Sequence, residues 1–136
     1  CILRPPGIFG LNGPNHLGLN NFIIKKLMKK KINFTGNLQS KRNYIFVDDV
    51  VKIILKFIKL KKKGIHYIAG ETLTFKDILS IIEKEIYPKI KIKIIKSKQK
   101  IGHQIVLPSQ KNIFTSFSKS LNIIKNEYRF SIRHPR

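Results

Sequence analysis

The clearest pattern of apolar and polar positions lies between residues 41 and 58, where the period changes from two to nearly four. The run from Tyr44 to Val47 is aromatic and β-branched, which predicts a strand. Asp48 and Asp49 follow, and we expect their carboxylates to accept the first free backbone N–H groups of a helix. Apolar residues then recur at the i, i+3, i+4 spacing of a buried helical stripe. The stripe consists of Val47, Val50, Val51, Ile54, Leu55 and Ile58.

Other segments predict further elements around this strand and helix. Short apolar runs bounded by Gly, Pro or Asn predict strands at residues 1–3, 32–36, 65–68 and 90–94. Amphipathic spacing predicts helices at residues 20–31, 74–86 and 118–126. Asn20 and Thr74 are the predicted N-caps, and Asp77 completes a near capping box. Gly64 is expected to close the helix that begins at Asp48 and Asp49. The Gly- and Pro-rich residues 4–18 predict a long ordered loop, and residues 96–111 predict a loop or a very short strand.

The net charge of +21 raises the question of a polyanionic partner. Lysines are spread over every segment and accompany abundant Ile and Asn, which is the composition that AT-rich coding sequence produces. No recognisable nucleic-acid module is present, so we do not expect nucleic acid as a partner. A basic polyanion-binding or interaction protein without catalysis remains the alternative function.

Other compositional features exclude several classes of protein. A hydrophobic content of 42% indicates a globular chain, and 136 residues allow at most one domain. The single cysteine excludes a disulfide framework and a cysteine-based zinc site, and we predict no metal site. No apolar run is long enough to span a bilayer and no signal-peptide pattern opens the chain, so we expect a cytoplasmic protein without a membrane partner.

Arg42 stands out because arginine is rare among the 28 basic residues. The arginines are Arg4, Arg42, Arg129, Arg133 and Arg136. A guanidinium fork can hold a phosphate or carboxylate through two parallel hydrogen bonds, whereas lysine acts as a mobile point charge. Arg42 precedes the strand-to-helix corner, which places it to bind an anion there. The alternative is an ordinary surface ion pair with Asp48 or Asp49. His66, on a predicted strand, is expected to be structural.

The pattern Arg-x-Tyr-Ile-x-Val-x-Asp-Val over residues 42–50 resembles a signature of the extended short-chain dehydrogenase/reductases, the nucleotide-sugar epimerases and dehydratases. Further segments resemble the family in the same order, at residues 3–10, 64–70 and 118–119. The resemblance covers roughly residues 2–125. It implies an α/β fold: the C-terminal part of an NAD(P)-binding Rossmann-type epimerase fold, with a few short strands and a small helical substrate lobe.

The resemblance also implies roles for individual residues. Arg42 takes the place of the family's diphosphate-binding arginine, and Tyr44 belongs to the same substrate-binding motif. Asn21 is implied as a diphosphate ligand at a helix N-terminus, with an ordinary capping asparagine as the alternative. Phe34 and Thr35 are implied to lie along the nucleotide base. The residues implied to lie against the nicotinamide of the cofactor are Pro5 and Pro6.

Two departures from the family pattern concern substrate contacts. Gly7 stands where many relatives carry asparagine, which puts one sugar contact in doubt. The family's second diphosphate arginine, and a nearby aspartate for a ribose hydroxyl, are absent from the region after residue 95. The residues that could substitute there are His103, Gln104, Ser109 and Lys111.

The chain also lacks the features that the family uses for catalysis. It has no Gly-x-x-Gly-x-x-Gly turn for a dinucleotide pyrophosphate. Tyr87 and Lys91 have the spacing of a catalytic Tyr-x-x-x-Lys pair, but Pro88 breaks the helix that would place both on one face, so we reject the pair. We therefore expect residues 1–136 to be a single partial domain, a fragment that lacks the N-terminal dinucleotide-binding half.

The expected function follows from these points. The chain is predicted to be the substrate-binding portion of an NAD(P)-dependent nucleotide-sugar epimerase or dehydratase, such as a UDP-sugar 4-epimerase, and to be inactive alone. The complete enzyme would use NAD or NADP, and neither is expected to bind this fragment tightly. The expected partners are a nucleotide-sugar substrate, the missing N-terminal half and, for the complete enzyme, a second copy in a homodimer.

Overall fold

The computed structural model describes residues 1–14, 16–95, 97–108 and 114–134, which form seven strands and four helices. The strands are β1 (Ile2–Arg4), β2 (Gly7–Phe9), β3 (Ile32–Thr35), β4 (Lys41–Phe46), β5 (Ile65–Tyr67), β6 (Glu71–Thr74) and β7 (Ile92–Ile95). The helices are α1 (Gly18–Leu27), α2 (Val47–Lys59), α3 (Phe75–Glu85) and α4 (Phe117–Arg133).

The strands form three small sheets rather than one. β1 pairs with β5, and β3 pairs with β7, both in parallel. β4 is the centre of the third sheet, with β2 parallel on one side and β6 antiparallel on the other. Parallel pairs joined through helices define an α/β fold, as the sequence predicted, with few and short strands.

Most predicted elements are present, but several boundaries differ. β4 leads directly into α2 as predicted, and Thr74 caps α3 by accepting a hydrogen bond from the N–H of Asp77 at 3.1 Å. The predicted long loop after β1 contains the unpredicted strand β2, and β6 lies between the predicted strand at residues 65–68 and the predicted helix at residues 74–86. The last helix begins at Phe117, capped by Ser116, and ends at Arg133, two turns beyond its predicted end.

Three predicted helix caps are wrong. Asn20 lies inside α1, whose N-cap residue is Leu17, and Phe46 occupies the N-cap position of α2 without a side-chain hydrogen bond. At the other end of α2, Lys61, with a φ of 47°, follows the C-cap residue Leu60 and closes the helix, whereas Gly64, with a φ of 89°, lies further along the chain before β5. The N–H groups of Lys61 and Lys62 bond back to the last turn of the helix, as in a Schellman motif.

The apolar residues form two clusters. The larger cluster lies between α1, α3, α4 and the strands β3 and β7, around Phe9, Ile23, Ile82 and Leu121. The smaller cluster lies under α2 and consists of Ile45, Val50, Ile53 and Ile68, with Leu3, Ile8 and Phe57 at its margin. The smaller cluster joins β4 and α2 to the β1–β5 pair.

The predicted buried stripe of α2 is largely wrong. Val50 is buried, but the inward face continues through Ile53, which is 7% exposed. Leu55 and Ile58 are 60% and 68% exposed. Val47, Val51 and Ile54 are exposed as well. The helix therefore has a second apolar face that no described part of the chain covers.

Lys26 lies in α1, and its side chain is fully buried. Its ammonium group donates a hydrogen bond to the carbonyl of Ile90, which ties α1 to the segment before β7. Burial lowers the pKa of this ammonium, against the opposing charge of Glu83.

Across the described ranges, none of the helices is both long enough and apolar enough to cross a membrane.

Candidate functional site

Arg42 lies near the start of β4, and its guanidinium group is held from two directions. Nη1 donates to the carbonyl oxygen of Gly102 at 2.6 Å and to that of Lys41 at 2.9 Å. The guanidinium carbon lies 5.3 Å from the ring centroid of Phe75, a cation–π distance. Within the described part of the chain, Nε and Nη2 have no hydrogen-bond partner. The half-buried fork is thus fixed in direction and retains N–H groups that can donate to an anion.

The loop after β7 runs beside the first half of β4. The N–H of Gln104 donates to the carbonyl of Lys41 at 2.9 Å, and Nδ1 of His103 accepts from the N–H of Lys41 at 3.2 Å. The N–H of Gly102 donates to the hydroxyl of the buried Ser40 at 2.9 Å. Gln104 of this loop therefore pairs with Arg42 in an isolated parallel β-bridge. These bonds position the carbonyl of Gly102 that accepts from the guanidinium group of Arg42.

Four residues could replace the family's second diphosphate-binding arginine, and the structure describes two of them, His103 and Gln104. The backbone of Gln104 and one ring nitrogen of His103 bind β4, so both residues lie beside the arginine-bearing strand. Ser109 and Lys111 lie outside the described residues.

The surface ion pair that was the alternative role of Arg42 is not formed. Asp49 is buried, and its carboxylate accepts from the N–H of Thr115 at 2.6 Å and from the Thr115 hydroxyl at 3.0 Å. Its one ion-pair partner among the described residues is Lys52, at 3.4 Å. Asp48 lies on the surface, and no described ion pair joins it to Arg42. The guanidinium group is therefore positioned by carbonyl groups and an aromatic ring, and its charge is not neutralised by a carboxylate.

Tyr44 lies two residues beyond Arg42 and therefore on the same face of β4. Its ring lies against Gly7, where an added Cβ would come within 2.6 Å of two ring atoms. The ring also makes an edge-on contact with Phe9, with centroids 6.5 Å apart. Burial raises the pKa of the Tyr44 hydroxyl, while the charge of Arg42 opposes this shift. The tyrosine ring thus fills the space that a longer side chain at position 7 would need.

Pro6 and Gly7 line an open cleft of about 770 Å³ at the end of β1, and Pro5 lies exposed just before them. Most of the lining is apolar or glycine, including Val47 at the start of α2. The cleft also contains two carboxylates from different helices, Asp48 and Glu127. Burial, and then the charge of Asp48, raises the pKa of the Glu127 carboxyl.

The remaining predicted substrate residues are more scattered. The side chain of Phe34 is buried among Phe22 and Phe75, whose ring centroids lie 6.0 and 5.1 Å from its own. The ring of Phe75 therefore contacts both Phe34 and Arg42. Because the side chain of Phe34 is buried, only its backbone groups could contact a ligand. Thr35 is exposed and Asn21 is half-buried, and among the described residues no hydrogen bond joins either side chain to Arg42.

Two residues that sequence reasoning missed support the arginine directly. Phe75 follows the N-cap of α3, and Gly102 lies in a loop 60 residues after Arg42. Neither position carries a sequence signal for this role, because both contacts depend on tertiary packing. Asn20 was predicted as a cap, but its buried Oδ1 accepts from the N–H of Gly10 at 3.3 Å, behind the cleft.

Neither residue of the rejected catalytic pair, Tyr87 and Lys91, lies in a helix. α3 ends at Glu85, and Tyr87 follows with a φ of 46°. Lys91 lies in the segment before β7, 3.7 Å from the carboxylate of Glu83. The described ranges also contain no group of three or more His, Cys, Asp or Glu residues that could hold a metal ion.

The chain is similar to proteins that act on nucleotide sugars. A family model described as the NAD dependent epimerase/dehydratase family matches residues 1–70. CDP-abequose synthase from Salmonella muenchen is 31% identical over 75 residues, which cover 52% of this chain and 26% of that protein.

Solved structures give the same picture of the fold. A UDP-N-acetylglucosamine 4-epimerase from Methanobrevibacter ruminantium, in complex with UDP-N-acetylmuramic acid, aligns with 96% of this chain at a TM-score of 0.76 and 20% identity. A UDP-glucuronic acid 4-epimerase mutant from Bacillus cereus aligns with 95% of the chain at a TM-score of 0.77 and 21% identity. The chain spans 46% and 45% of these two proteins. This chain belongs to the NAD-dependent epimerase/dehydratase family.

Proposed function

We propose that this chain is the nucleotide-sugar-binding part of an NAD(P)-dependent epimerase, dehydratase or reductase, with Arg42 as the ligand of the substrate's diphosphate. The observation that supports this role most strongly is the geometry of the arginine. Its fork is fixed by two carbonyl groups and the ring of Phe75, yet no carboxylate neutralises it in the described structure. A fixed and unneutralised guanidinium group loses little entropy when it binds a diphosphate.

The residues around Arg42 suit the rest of such a ligand. Tyr44 shares its face of β4, and Asn21 of α1 and Thr35 of β3 are proposed to offer further polar groups to the ligand. The side chain of Phe34 is proposed to support the site by packing against Phe75, because its ring is buried in the core. His103 is the candidate for a second contact to the diphosphate, since its ring already accepts from Lys41 and can donate through the other nitrogen.

The cleft fits one portion of the implied cofactor. Its apolar wall, which includes Pro6 and Val47, suits the flat face of a nicotinamide ring. Asp48 and Glu127 would repel a pyrophosphate there, so the dinucleotide needs its glycine turn elsewhere. When bound in the complete enzyme, NAD or NADP supplies the hydride acceptor, and this chain alone is proposed to hold neither tightly and to catalyse nothing.

The complete enzyme is proposed to be cytoplasmic and to include a dinucleotide-binding half. It is further proposed to form a homodimer and to act in surface-polysaccharide synthesis. CDP-abequose synthase and the UDP-sugar 4-epimerases among the relatives motivate the choice of a nucleotide sugar.

The net charge of +21 motivates the rival function, a basic protein that binds polyanions without catalysis. The two functions differ in how binding depends on individual cations. A nucleotide sugar should depend on Arg42 above every other basic residue, whereas a polyanion should depend on many lysines and weaken steeply with salt.

The test measures the affinity for nucleoside-diphosphate sugars by calorimetry, with the chain joined to a dinucleotide-binding half. Arg42→Ala should weaken binding roughly ten- to hundredfold, the cost of a lost hydrogen bond to a charged group. Arg42→Lys should recover only part of the loss, because an ammonium group cannot bond two oxygens in one plane. Lys41→Ala is the neighbouring control. If it weakens binding as much as Arg42→Ala does, the site is diffuse charge and the assignment is wrong.

A further inference from the structure

The two groups that hold the guanidinium of Arg42 come from distant segments, yet both bond to Ser40. The carbonyl of Gly102 accepts from Nη1 of Arg42 at 2.6 Å, and the ring of Phe75 lies against the guanidinium group. The N–H of Gly102 donates to the hydroxyl oxygen of Ser40 at 2.9 Å, and the N–H of Phe75 donates to the Ser40 carbonyl at 3.0 Å. Ser40 therefore connects both supports of the arginine, from a position just before it in the chain.

The bond to Phe75 fixes the start of α3. Phe75 and Lys76 open that helix, so their N–H groups have no acceptor inside it. They donate instead to the carbonyls of Ser40 and Leu38, both at 3.0 Å. These are backbone bonds, and a change of side chain at position 40 keeps them. The place of the Phe75 ring beside Arg42 is thus set by the main chain.

The loop that carries Gly102 depends instead on the side chain of Ser40. Residues 98–105 of this loop are exposed, and none of them belongs to either apolar cluster. Two other side-chain bonds at the loop, those of Asn37 and His103, are exposed to water. Ser40 is only 4% exposed, so the hydroxyl end of its bond to Gly102 is better shielded. The Ser40 hydroxyl therefore contributes more to the position of the loop than these neighbouring side chains do.

Loss of the Ser40 hydroxyl would leave the N–H of Gly102 without its acceptor. The carbonyl that accepts from Arg42 belongs to the same glycine, so a shift of the loop at the N–H also moves that carbonyl. Nη1 would then keep only the carbonyl of Lys41. The N–H groups that remain for an anion would point in several directions, and ordering them on binding costs entropy.

We propose that Ser40 is the positioning residue of the diphosphate site. Its hydroxyl holds the loop so that the carbonyl of Gly102 orients the fork of Arg42, and its carbonyl holds the ring of Phe75. The identity of the ligand rests on the proposed function, whereas the orientation of Arg42 by Ser40 needs no ligand. The competing explanation is that Ser40 serves stability alone, because its N–H also closes a turn on the carbonyl of Asn37 at 3.1 Å.

The first measurement is a nitrogen NMR spectrum of the chain with isotope-labelled arginine. The chain has five arginines, so the side-chain signals are few, and the one missing from Arg42→Ala is assigned to Arg42. Rotation about its Nε–Cζ bond should be about fivefold faster in Ser40→Ala, the factor expected from one lost hydrogen bond. Arg4, whose Nη1 donates to the hydroxyl of Tyr67 at 2.8 Å, is the reference in the same spectrum and should not change.

The second measurement is calorimetry with UDP-glucose, on the chain joined to a dinucleotide-binding half. Ser40→Ala should weaken binding about fivefold, and it should have no further effect in a chain that already carries Arg42→Ala. Ser40→Thr keeps the hydroxyl oxygen and should restore most of the affinity. The matched control is Ser120→Ala, at a fully buried serine whose hydroxyl donates to the carbonyl of Ser116 at 3.0 Å. This control should lower stability without changing the affinity.

The proposal is wrong if the Arg42 signal is unchanged in Ser40→Ala, or if the Arg4 signal changes equally, which would indicate a general loosening of the fold. It is also wrong if Ser40→Ala weakens binding equally with and without Arg42, or if Ser120→Ala or Ser40→Thr weakens binding as much. If UDP-glucose does not bind, or binds equally well to Arg42→Ala, the proposed function is contradicted. The arginine spectrum alone then decides whether Ser40 positions the guanidinium group.

Discussion

At the scale of single residues, Asn43 joins β4 to the turn before β6. Its Oδ1 accepts from the N–H of Gly70 at 2.9 Å, and its Nδ2 donates to the carbonyl of Gly70 at 3.1 Å and to the hydroxyl of Thr72 at 2.7 Å. The side chain is buried, so these bonds are shielded from water. Gly70 can approach this closely because it lacks a side chain: an added Cβ would lie 2.0 Å from the carbonyl oxygen of Tyr44. Asn43 thus fixes the strand that carries the arginine.

We expect Asn43→Ala to lower the free energy of unfolding by about 2–3 kcal/mol. The substitution removes three hydrogen bonds and leaves the buried N–H of Gly70 without an acceptor. Urea unfolding followed by circular dichroism measures the change. The control is Asn33→Ala, an exposed asparagine in β3, which should change stability by less than about 0.5 kcal/mol. Equal effects of the two substitutions would contradict the role given to Asn43.

The sequence could identify Arg42 but not what holds it. Its rarity and its motif are local features, so they are visible in one stretch of sequence. Phe75 and Gly102 contact it only because α3 and the loop after β7 return to β4. Asp49 shows the same limit: its position predicted a helix cap, but its carboxylate instead binds Thr115, which arrives from a distant segment.

At the scale of elements, hydrophobic spacing predicted the helices better than the short strands. α2 and α3 have sustained periodicity, so their existence and approximate limits could be read from the sequence. β2 and β6 have three and four residues and lie among glycines and prolines or beside a turn. Their pairing with β4 comes from tertiary structure. Periodicity also could not decide which of the two apolar faces of α2 the chain would cover.

Two helices end on a lysine in a conformation that favours glycine. Lys29 after α1 and Lys61 after α2 have φ values of 55° and 47°. A side chain in this left-handed region costs about 1 kcal/mol, which glycine avoids. Lys29 also places its ammonium group 5.1 Å from the ring centroid of Tyr87, so Lys61 gives the simpler test.

We expect Lys61→Gly to raise the free energy of unfolding by about 0.5–1 kcal/mol, because it removes this backbone cost and keeps the bonds of the helix end. The measurement is the midpoint of thermal or urea unfolding. Lys62→Gly, at the next residue, should give no gain, since the φ of Lys62 is not positive. A loss of stability in Lys61→Gly would show that the left-handed conformation is not the dominant cost at this helix end.

At the scale of the whole molecule, three of the seven acidic residues accept hydrogen bonds at the start of α4 or along it. Glu71 accepts from the N–H of Phe117 at the helix start, and Asp49 binds Thr115 just before it. Glu85 accepts from the hydroxyl of Ser118 at 2.7 Å and from the amide of Asn122 at 2.8 Å. In a chain with 28 basic residues, the docking of this helix therefore depends on a small number of ionised acids.

Glu85 and Glu127 provide opposite predictions about pH. The hydrogen bonds from Ser118, and then from Asn122, lower the pKa of Glu85, whereas burial and then Asp48 raise the pKa of Glu127. A lowered folded-state pKa means that ionised Glu85 stabilises the fold above the ordinary glutamate pKa of about 4.3, and that this contribution is lost as the pH falls through the folded-state value. A raised folded-state pKa means that ionised Glu127 destabilises the fold, by an amount that is fully present above the folded-state pKa.

At pH 7, Glu85→Gln should therefore lower the free energy of unfolding, by about 1 kcal/mol because the side chain is partly exposed. Glu127→Gln, the matched substitution on α4, should raise the unfolding midpoint or leave it unchanged. Urea unfolding from pH 7 down to pH 3 measures both. The difference between Glu85→Gln and the unaltered chain should shrink as the pH falls below about 4.3, and it should vanish only below the lowered folded-state pKa, where the carboxyl is neutral in both folded and unfolded states. A constant difference across this range would mean that Glu85 acts through packing rather than through its charge.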